Sequence, residues 1–244
     1  MPEAHERRTI AEITELAGGL AHELRNPLST LMINLKLLAE DLGDGSARPA
    51  DVRRRGLLRV DVLRREAGRL QALLDDFLHL TGPRRLRKDA LDLNDVVARL
   101  VQFFRPQAQS AGIDVKTQPA SASVICSVDE MLLRQALLNI VINAQEAMPR
   151  GGTLEISTER YGDWASISVS DTGMGIAEEN RDNLLRPFYS TKARGNGLGL
   201  AITQRIIDDH GGNLTWESEI GKGTTFVIRL PLASSRDHNC AGRT

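Results

Sequence analysis

The stretch GGLAHELRNPLSTL, residues 18–31, sets His22 beside Glu23 and puts Pro27 inside a run that otherwise has helical spacing. A neutral imidazole is a competent nucleophile near pH 7, provided that one ring nitrogen is held protonated and its proton is later removed. A neighbouring carboxylate can do both. By itself the pair also reads as two solvated surface side chains. Pro27 cannot donate to the carbonyl of Glu23, and its ring presses on that turn, so the helix is expected to bend or loosen one turn after His22. A tolerated structural kink is the alternative.

Four further clusters lie in the second half of the chain. In NIVINAQEAM, residues 139–148, Asn139 and Asn143 are four apart and share a helix face. Two carboxamides on one face suit a hydrated Mg²⁺, which takes a few hard oxygen ligands and keeps its waters; they equally suit a solvated surface. DTGMGI, residues 171–176, follows the strand-like ASISVS and brings the Asp171 carboxylate beside Gly173 and Gly175, where backbone can approach a ligand closely. A carboxylate accepts from an amine, so Asp171 could read the exocyclic amine of adenine; DTG is also an ordinary turn. GNGLGLA, residues 195–201, opens a helix with Gly195, Gly197, Leu198 and Gly199, and exposed N–H groups at a helix start favour phosphate. RPFYSTKARGN before it reads as a loop, which disfavours a dinucleotide fold. GKGTTF, residues 221–226, turns into a last strand, with the Thr224 hydroxyl available to the same adenine site.

Two kinds of element must position these groups. Ile13, Leu16, Leu20, Leu24, Leu28, Leu31, Leu35, Leu38 and Leu42 form one helical stripe, with His22 about 200° from both Leu20 and Leu24 and hence off the seam. GDGSARPA, residues 43–50, breaks that helix, and a second stripe runs through Leu63, Ala67, Leu70, Leu74 and Phe77 to Gly82-Pro83. An antiparallel hairpin follows, with more apolar surface than it can bury alone, so a dimeric four-helix bundle is expected. After the basic linker PRRLRKDA, residues 83–90, β-branched runs near 115–117, 123–128, 154–159, 165–170 and 224–231 alternate with helical segments near 93–108, 129–148 and 197–210. That pattern predicts a two-layer α/β sandwich with a mixed sheet.

The order H-box-like LAHELRNPL, Asn-rich helix, DTGMGI, RPFYSTK, GNGLGL and GKGTTF resembles that of sensor histidine kinases. The resemblance covers roughly residues 8–232 and implies a dimerisation and phosphotransfer hairpin (1–84), an ATP-binding domain of the gyrase-related GHKL (Bergerat) type (85–233) and a polar tail (234–244). It implies that His22 takes the γ-phosphoryl group of ATP, that Glu23 is the base, and that Asn26 in the H-E-x-x-N pattern positions water for regulator dephosphorylation. It implies further that Asn143 binds Mg²⁺ and that Asp171 reads adenine, with Gly173 and Gly175 admitting the base. Asn139 stands where gyrase-type relatives carry a water-activating glutamate; an amide cannot serve as that base, which suits transfer rather than hydrolysis. Residues 177–196 correspond to an ATP lid, with Lys192 and Arg194 as phosphate partners, Phe188 and Tyr189 as apolar anchors, and Gly195 and Gly197 as hinges. The partners implied are a second copy through the hairpin and a response-regulator receiver domain. The H-box wording is nearest to kinases of the nitrogen-regulation type. A catalytically idle ATP-binding dimeric scaffold and a hydrolytic ATPase of the gyrase type are the competing readings.

Composition is compatible with this and excludes other classes. Hydrophobic residues are 41% of 244, aromatics only 4%, and the formal net charge is −1, which gives no electrostatic case for nucleic acid or an anionic membrane. Cys126 and Cys240 are far apart and form no metal-type pair, no apolar run reaches a membrane span, and a cytoplasmic location is expected, with any sensor supplied by another protein or a longer chain. His5, His79, His210 and His238 lack the adjacent acid and proline of His22; His210 reads as a helix C-terminal residue favoured by the dipole.

Overall fold

The leucine-rich first third of the chain winds into α1 (Pro2–Gly43) and α2 (Pro49–Thr81), which pack against each other. The structure, a computed structural model, describes residues 2–43, 48–82, 85–190 and 196–233, and side chains from residue 16 onward among these. Helix α2 begins earlier than its apolar spacing suggests, because Pro49 at the first helical position has no N–H to leave unsatisfied and Arg48 supplies the extended cap. Helix α1 is unbroken through Pro27, which is buried. The helix shows no break at Pro27, and around it Ser29 Oγ donates to Arg25 O at 2.8 Å and Thr30 Oγ1 to Asn26 O at 3.2 Å, side-chain bonds to carbonyls four residues back of the kind that often accompany a bend.

The leucine stripe divides. Leu24, Leu31 and Leu38 are half-buried, whereas Leu28, Leu35 and Leu42, seven apart, are 50%, 52% and 70% exposed. A stripe with members at every third and fourth position is wider than one partner helix covers, so one hairpin leaves a heptad line open. Near the loop end, Asp41 is buried, accepts from Arg59 Nε at 2.5 Å and forms an ion pair with Arg55, whose Nε lies 3.3 Å away, both from α2. Asp41→Ala would leave Arg59 without this acceptor and both guanidinium groups without their shared counter-charge. It is expected to cost about 1–3 kcal/mol, read as a lower midpoint in thermal unfolding; an unchanged midpoint would show this cluster to be solvated and idle.

The second unit is an α/β sandwich. Its strands β2 (Ile113–Gln118), β4 (Gly152–Tyr161), β5 (Trp164–Asp171), β6 (Asn213–Glu219) and β7 (Gly223–Pro231) form a sheet in the order β2-β4-β5-β7-β6. Only the β2–β4 pair is parallel. Alternate residues such as Leu154, Ile156, Ile167, Val169, Ile228 and Leu230 are buried, and α3 (Leu93–Ser110), α4 (Glu130–Ala147) and α6 (Gly199–Asp209) supply the other layer. A short α5 (Glu178–Arg181) follows the DTGMGI loop. Two strands are not apparent from sequence. β1 (Asp89–Asp92) is four residues with an aspartate at each end; it pairs with β3 (Ile125–Val128) in a separate ladder, and its Asp92 caps α3 through Asn94 N. β6, NLTWESE, carries charged and amide residues with weak strand preference and is held at the sheet edge by β7, with Trp216 against Phe226 at 6.5 Å between ring centres.

The chain divides into two compact units. One holds the helical hairpin, residues 1–82, together with residues 187–198, and the sandwich holds the remainder.

Candidate functional site

In the sandwich, Asp171 is the last residue of β5 and stands opposite Thr224 of β7 in the ladder. Both are buried, 6% and 5% exposed, which is costly for a carboxylate unless it is hydrogen-bonded. Asp171 Oδ1 accepts from Gly173 N at 2.8 Å and from Thr224 N at 3.3 Å, so two backbone donors fix the orientation of the carboxylate. The glycines beside it are sterically required. A Cβ on Gly173 would lie 2.6 Å from Ala147 O and 2.8 Å from Asp171 Oδ1. Gly175 has φ +71°, and a Cβ there would meet the carbonyl oxygen of Glu219. Met174 N donates to Ala147 O at 3.1 Å, seating the loop on the C-terminal end of α4.

Ser218 carries no signal of its own in the sequence, because it lies on β6, whose residues do not announce a strand. Its Oγ accepts from Ile176 N at 2.8 Å and sits 3.0 Å from Thr224 Oγ1, tying the DTGMGI loop to the Thr224 strand. Asn139 Nδ2 donates to Gly199 O at 3.0 Å, and Thr203 Oγ1 donates to the same carbonyl at 2.9 Å. This gives Asn139 a part in joining α4 to the start of α6. Asn143 lies one turn further along α4 and is half-buried.

In the helical unit, the His22 side chain is 72% exposed and Glu23 is 23% exposed, with Nδ1 and Oε1 3.9 Å apart. That is ion-pair range, longer than a hydrogen bond. The carboxylate lies on the Nδ1 side of the ring. Asn26, four residues on, is exposed on the same helix. Within this unit Phe188 has φ +63°, and its ring packs so closely on Gly19 that a Cβ there would collide with it. Asn196 Nδ2 donates to Asp76 Oδ2 at 2.7 Å, and burial of Asp76 pushes its carboxyl above the usual range despite that bond. Gly197 has φ +65° and Leu198 is buried. Lys192, Arg194 and Gly195 lie outside the described residues.

One histidine departs from its expected role. His210 is 2% exposed, and burial, together with nearby Lys88, lowers its pKa below the usual histidine value against the opposing pull of the Ile206 carbonyl, Asp129 and Asp209. A dipole-favoured imidazolium is therefore not what the fold holds, because desolvation outweighs the helix terminus.

A buried carboxylate whose orientation two backbone donors fix suits recognition of a base that carries an amine. Among the described residues no cluster of three or more His, Cys, Asp or Glu could hold a metal. A carboxamide such as Asn143 is a donor for a Mg²⁺ that arrives with phosphate oxygens and water rather than for an all-protein cage.

Residues 12–82 match the family model for the His Kinase A (phospho-acceptor) domain. Residues 128–234 match that for the histidine kinase-, DNA gyrase B- and HSP90-like ATPase. The chain is 36% identical over 230 residues to the sensor histidine kinase ZraS of Klebsiella oxytoca, covering 93% of this chain and 47% of that protein. It is 34% identical over 232 residues to sporulation kinase C of Bacillus subtilis strain 168, covering 95% and 52%. The chain thus spans about half the length of the curated relatives it matches. Its fold is similar to that of histidine kinase ThkA, solved in complex with the response regulator protein TrrA, with a TM-score of 0.75 at 24% identity, over 95% of this chain and 65% of that one. Among the described residues no helix is long and apolar enough to cross a membrane.

Proposed function

Since this chain belongs to the sensor histidine kinases of two-component systems, we propose that it transfers the γ-phosphoryl group of ATP to His22 and then to an aspartate of a response-regulator receiver domain. The observation that carries this reading is that one chain holds an exposed His22 beside Glu23 and, separately, a buried Asp171 carboxylate oriented by two backbone donors. The lone pair of Nε2 forms the N–P bond as the bond between the γ-phosphorus and its bridging oxygen breaks, ADP leaves, and the Nδ1 proton passes to Glu23. Asp171, with Gly173, Gly175 and Thr224, holds adenine. In this reading Asn139 and Gly199, which meet in the sandwich, lie on the phosphate side of the nucleotide, and Asn143 would ligate Mg²⁺, which would supply charge neutralisation. Residues 1–84 act as the dimerisation and phosphotransfer domain and 85–233 as the catalytic domain in this reading. The open line Leu28, Leu35, Leu42 is the face on which a second hairpin completes a four-helix bundle. Asn26 then positions water when the phosphorylated regulator is dephosphorylated.

The test is incubation with γ-labelled ATP and Mg²⁺, followed by acid and base washes of the gel. An acid-labile, base-stable label is expected; ATP turnover without label would favour a hydrolytic ATPase, and nucleotide binding with neither would favour an idle scaffold. Glu23→Gln removes the proton acceptor while keeping the shape, and is expected to slow labelling about a hundredfold with nucleotide affinity unchanged. Labelling at the wild-type rate would remove Glu23 from the mechanism.

A further inference from the structure

We propose that His210 is a positioning residue for nucleotide binding, bracing the far ends of the two helices, α4 and α6, that carry Asn139, Asn143 and Gly199; this rests on the ATP-binding reading above. Helices α4 and α6 run side by side in opposite directions and are tied at both ends. At one end Asn139 Nδ2 donates to Gly199 O at 3.0 Å. At the other, the backbone N–H of Asp129, the N-cap of α4, donates to His210 Nε2 at 2.9 Å. Ten residues of α4 and eleven of α6 separate the two ties, and at 1.5 Å per residue these arms are about 15 Å and about 16.5 Å long, closely matched. The two ties thus hold α6 in register along α4 at both ends of their shared span, and loss of the His210 tie frees one of them.

The chemistry of the brace depends on protonation. Because Nε2 accepts, the proton sits on Nδ1, which faces Ile206 O at 2.7 Å, so the ring is buried with both nitrogens occupied. Protonation turns Nε2 into a donor aimed at the donor of Asp129, and the tie is lost. The charged groups around the ring are Asp129 on α4, Asp209 on α6 and Lys88 on the segment before β1. Lys88 Nζ lies 3.4 Å from Asp209 O, and Asp129 Oδ2 is already engaged by Arg87 N at 3.0 Å and Oδ1 by Leu132 N at 3.2 Å.

The sign follows by linkage. The folded pKa lies below the ordinary histidine value, and the form that binds nucleotide well is neutral. Affinity is thus full near neutrality and falls as pH drops through the folded pKa; reciprocally, nucleotide binding must lower that pKa further. The experiment measures MgADP affinity of the full chain by calorimetry from pH 7.5 to 5.5, with His210→Gln alongside. The glutamine oxygen can still accept from Asp129 but does not titrate, and the titration of the nucleotide's own phosphate cancels in the comparison. The wild type is expected to lose several-fold more affinity at low pH than His210→Gln; parallel profiles would overturn the proposal. Should the variant fail to fold, the imidazole titration of wild-type His210 by NMR, with and without saturating MgADP, decides the matter. A lower pKa with nucleotide supports the brace, and an identical one rejects it. Absence of any wild-type binding at pH 7.5 would instead reject the ATP-binding reading.

Discussion

His22→Gln is expected to abolish the acid-labile label altogether, a loss of more than about a thousandfold, while MgADP affinity and thermal stability stay at their wild-type values. Glutamine offers no ring nitrogen to carry a phosphoryl group, so the loss is of the nucleophile itself rather than of a rate-enhancing neighbour. The native side chain is 72% exposed, and the Glu23 carboxylate 3.9 Å away is too far for a hydrogen bond. An exposed substitution of this kind shifts stability by no more than about 0.5 kcal/mol. The comparison of label with melting temperature therefore separates chemistry from folding. A label that survives in His22→Gln would place the phosphoacceptor elsewhere and would overturn the central assignment, whatever else the chain binds.

Asp171→Asn carries the second large effect. The amide oxygen can keep the bonds from Gly173 N and Thr224 N, so the loop and the β5–β7 ladder have no reason to move. What changes is the partner offered to the adenine amine: the carboxylate accepts, whereas a carboxamide whose oxygen is held by the backbone presents its NH₂ group. Two donors then face each other in a buried site. A weakening of ATP binding by about a hundredfold is expected, close to 2.8 kcal/mol, the upper range for a hydrogen bond to a charged group. Calorimetry with ATP and circular dichroism of the same sample check it. Unchanged affinity in a folded variant would mean that Asp171 is a turn-closing residue only, the ordinary role of a DTG turn.

Much of the scaffold was legible because it rests on short-range regularities. Leucines at spacings of three and four can only be served by a helix, and β-branched runs closed by glycine turns by a strand, so the two long helices, the α4 and α6 segments and the central strands followed directly. The strands that escaped, β1 and β6, are those whose own residues do not favour extension. DALD and NLTWESE become strands only because β3 and β7 offer them a ladder. Ser218 escaped with β6, and its bond to the Ile176 N–H is visible only once that strand is in place.

The sequence by itself determined the inventory of chemistry: a histidine beside an acid, a carboxylate ahead of Gly-x-Gly, paired carboxamides and a glycine-opened helix, all within segments whose local pattern was unambiguous. Tertiary structure alone decided how those groups are used. Leu28, Leu35 and Leu42 look identical to Leu24, Leu31 and Leu38 in the stripe, and only the width of the facing helix separates the open line from the covered one. Asn139 offers a carboxamide in the sequence, and only the fold shows that its Nδ2 is spent on the carbonyl of Gly199, sixty residues away. His210 reads as a dipole-stabilised cation until burial reverses the preference and turns it into a neutral acceptor for Asp129, eighty-one residues earlier. Periodicity and motif are local quantities, whereas desolvation and the choice of hydrogen-bond partner depend on groups distant in sequence that folding brings within 3 Å.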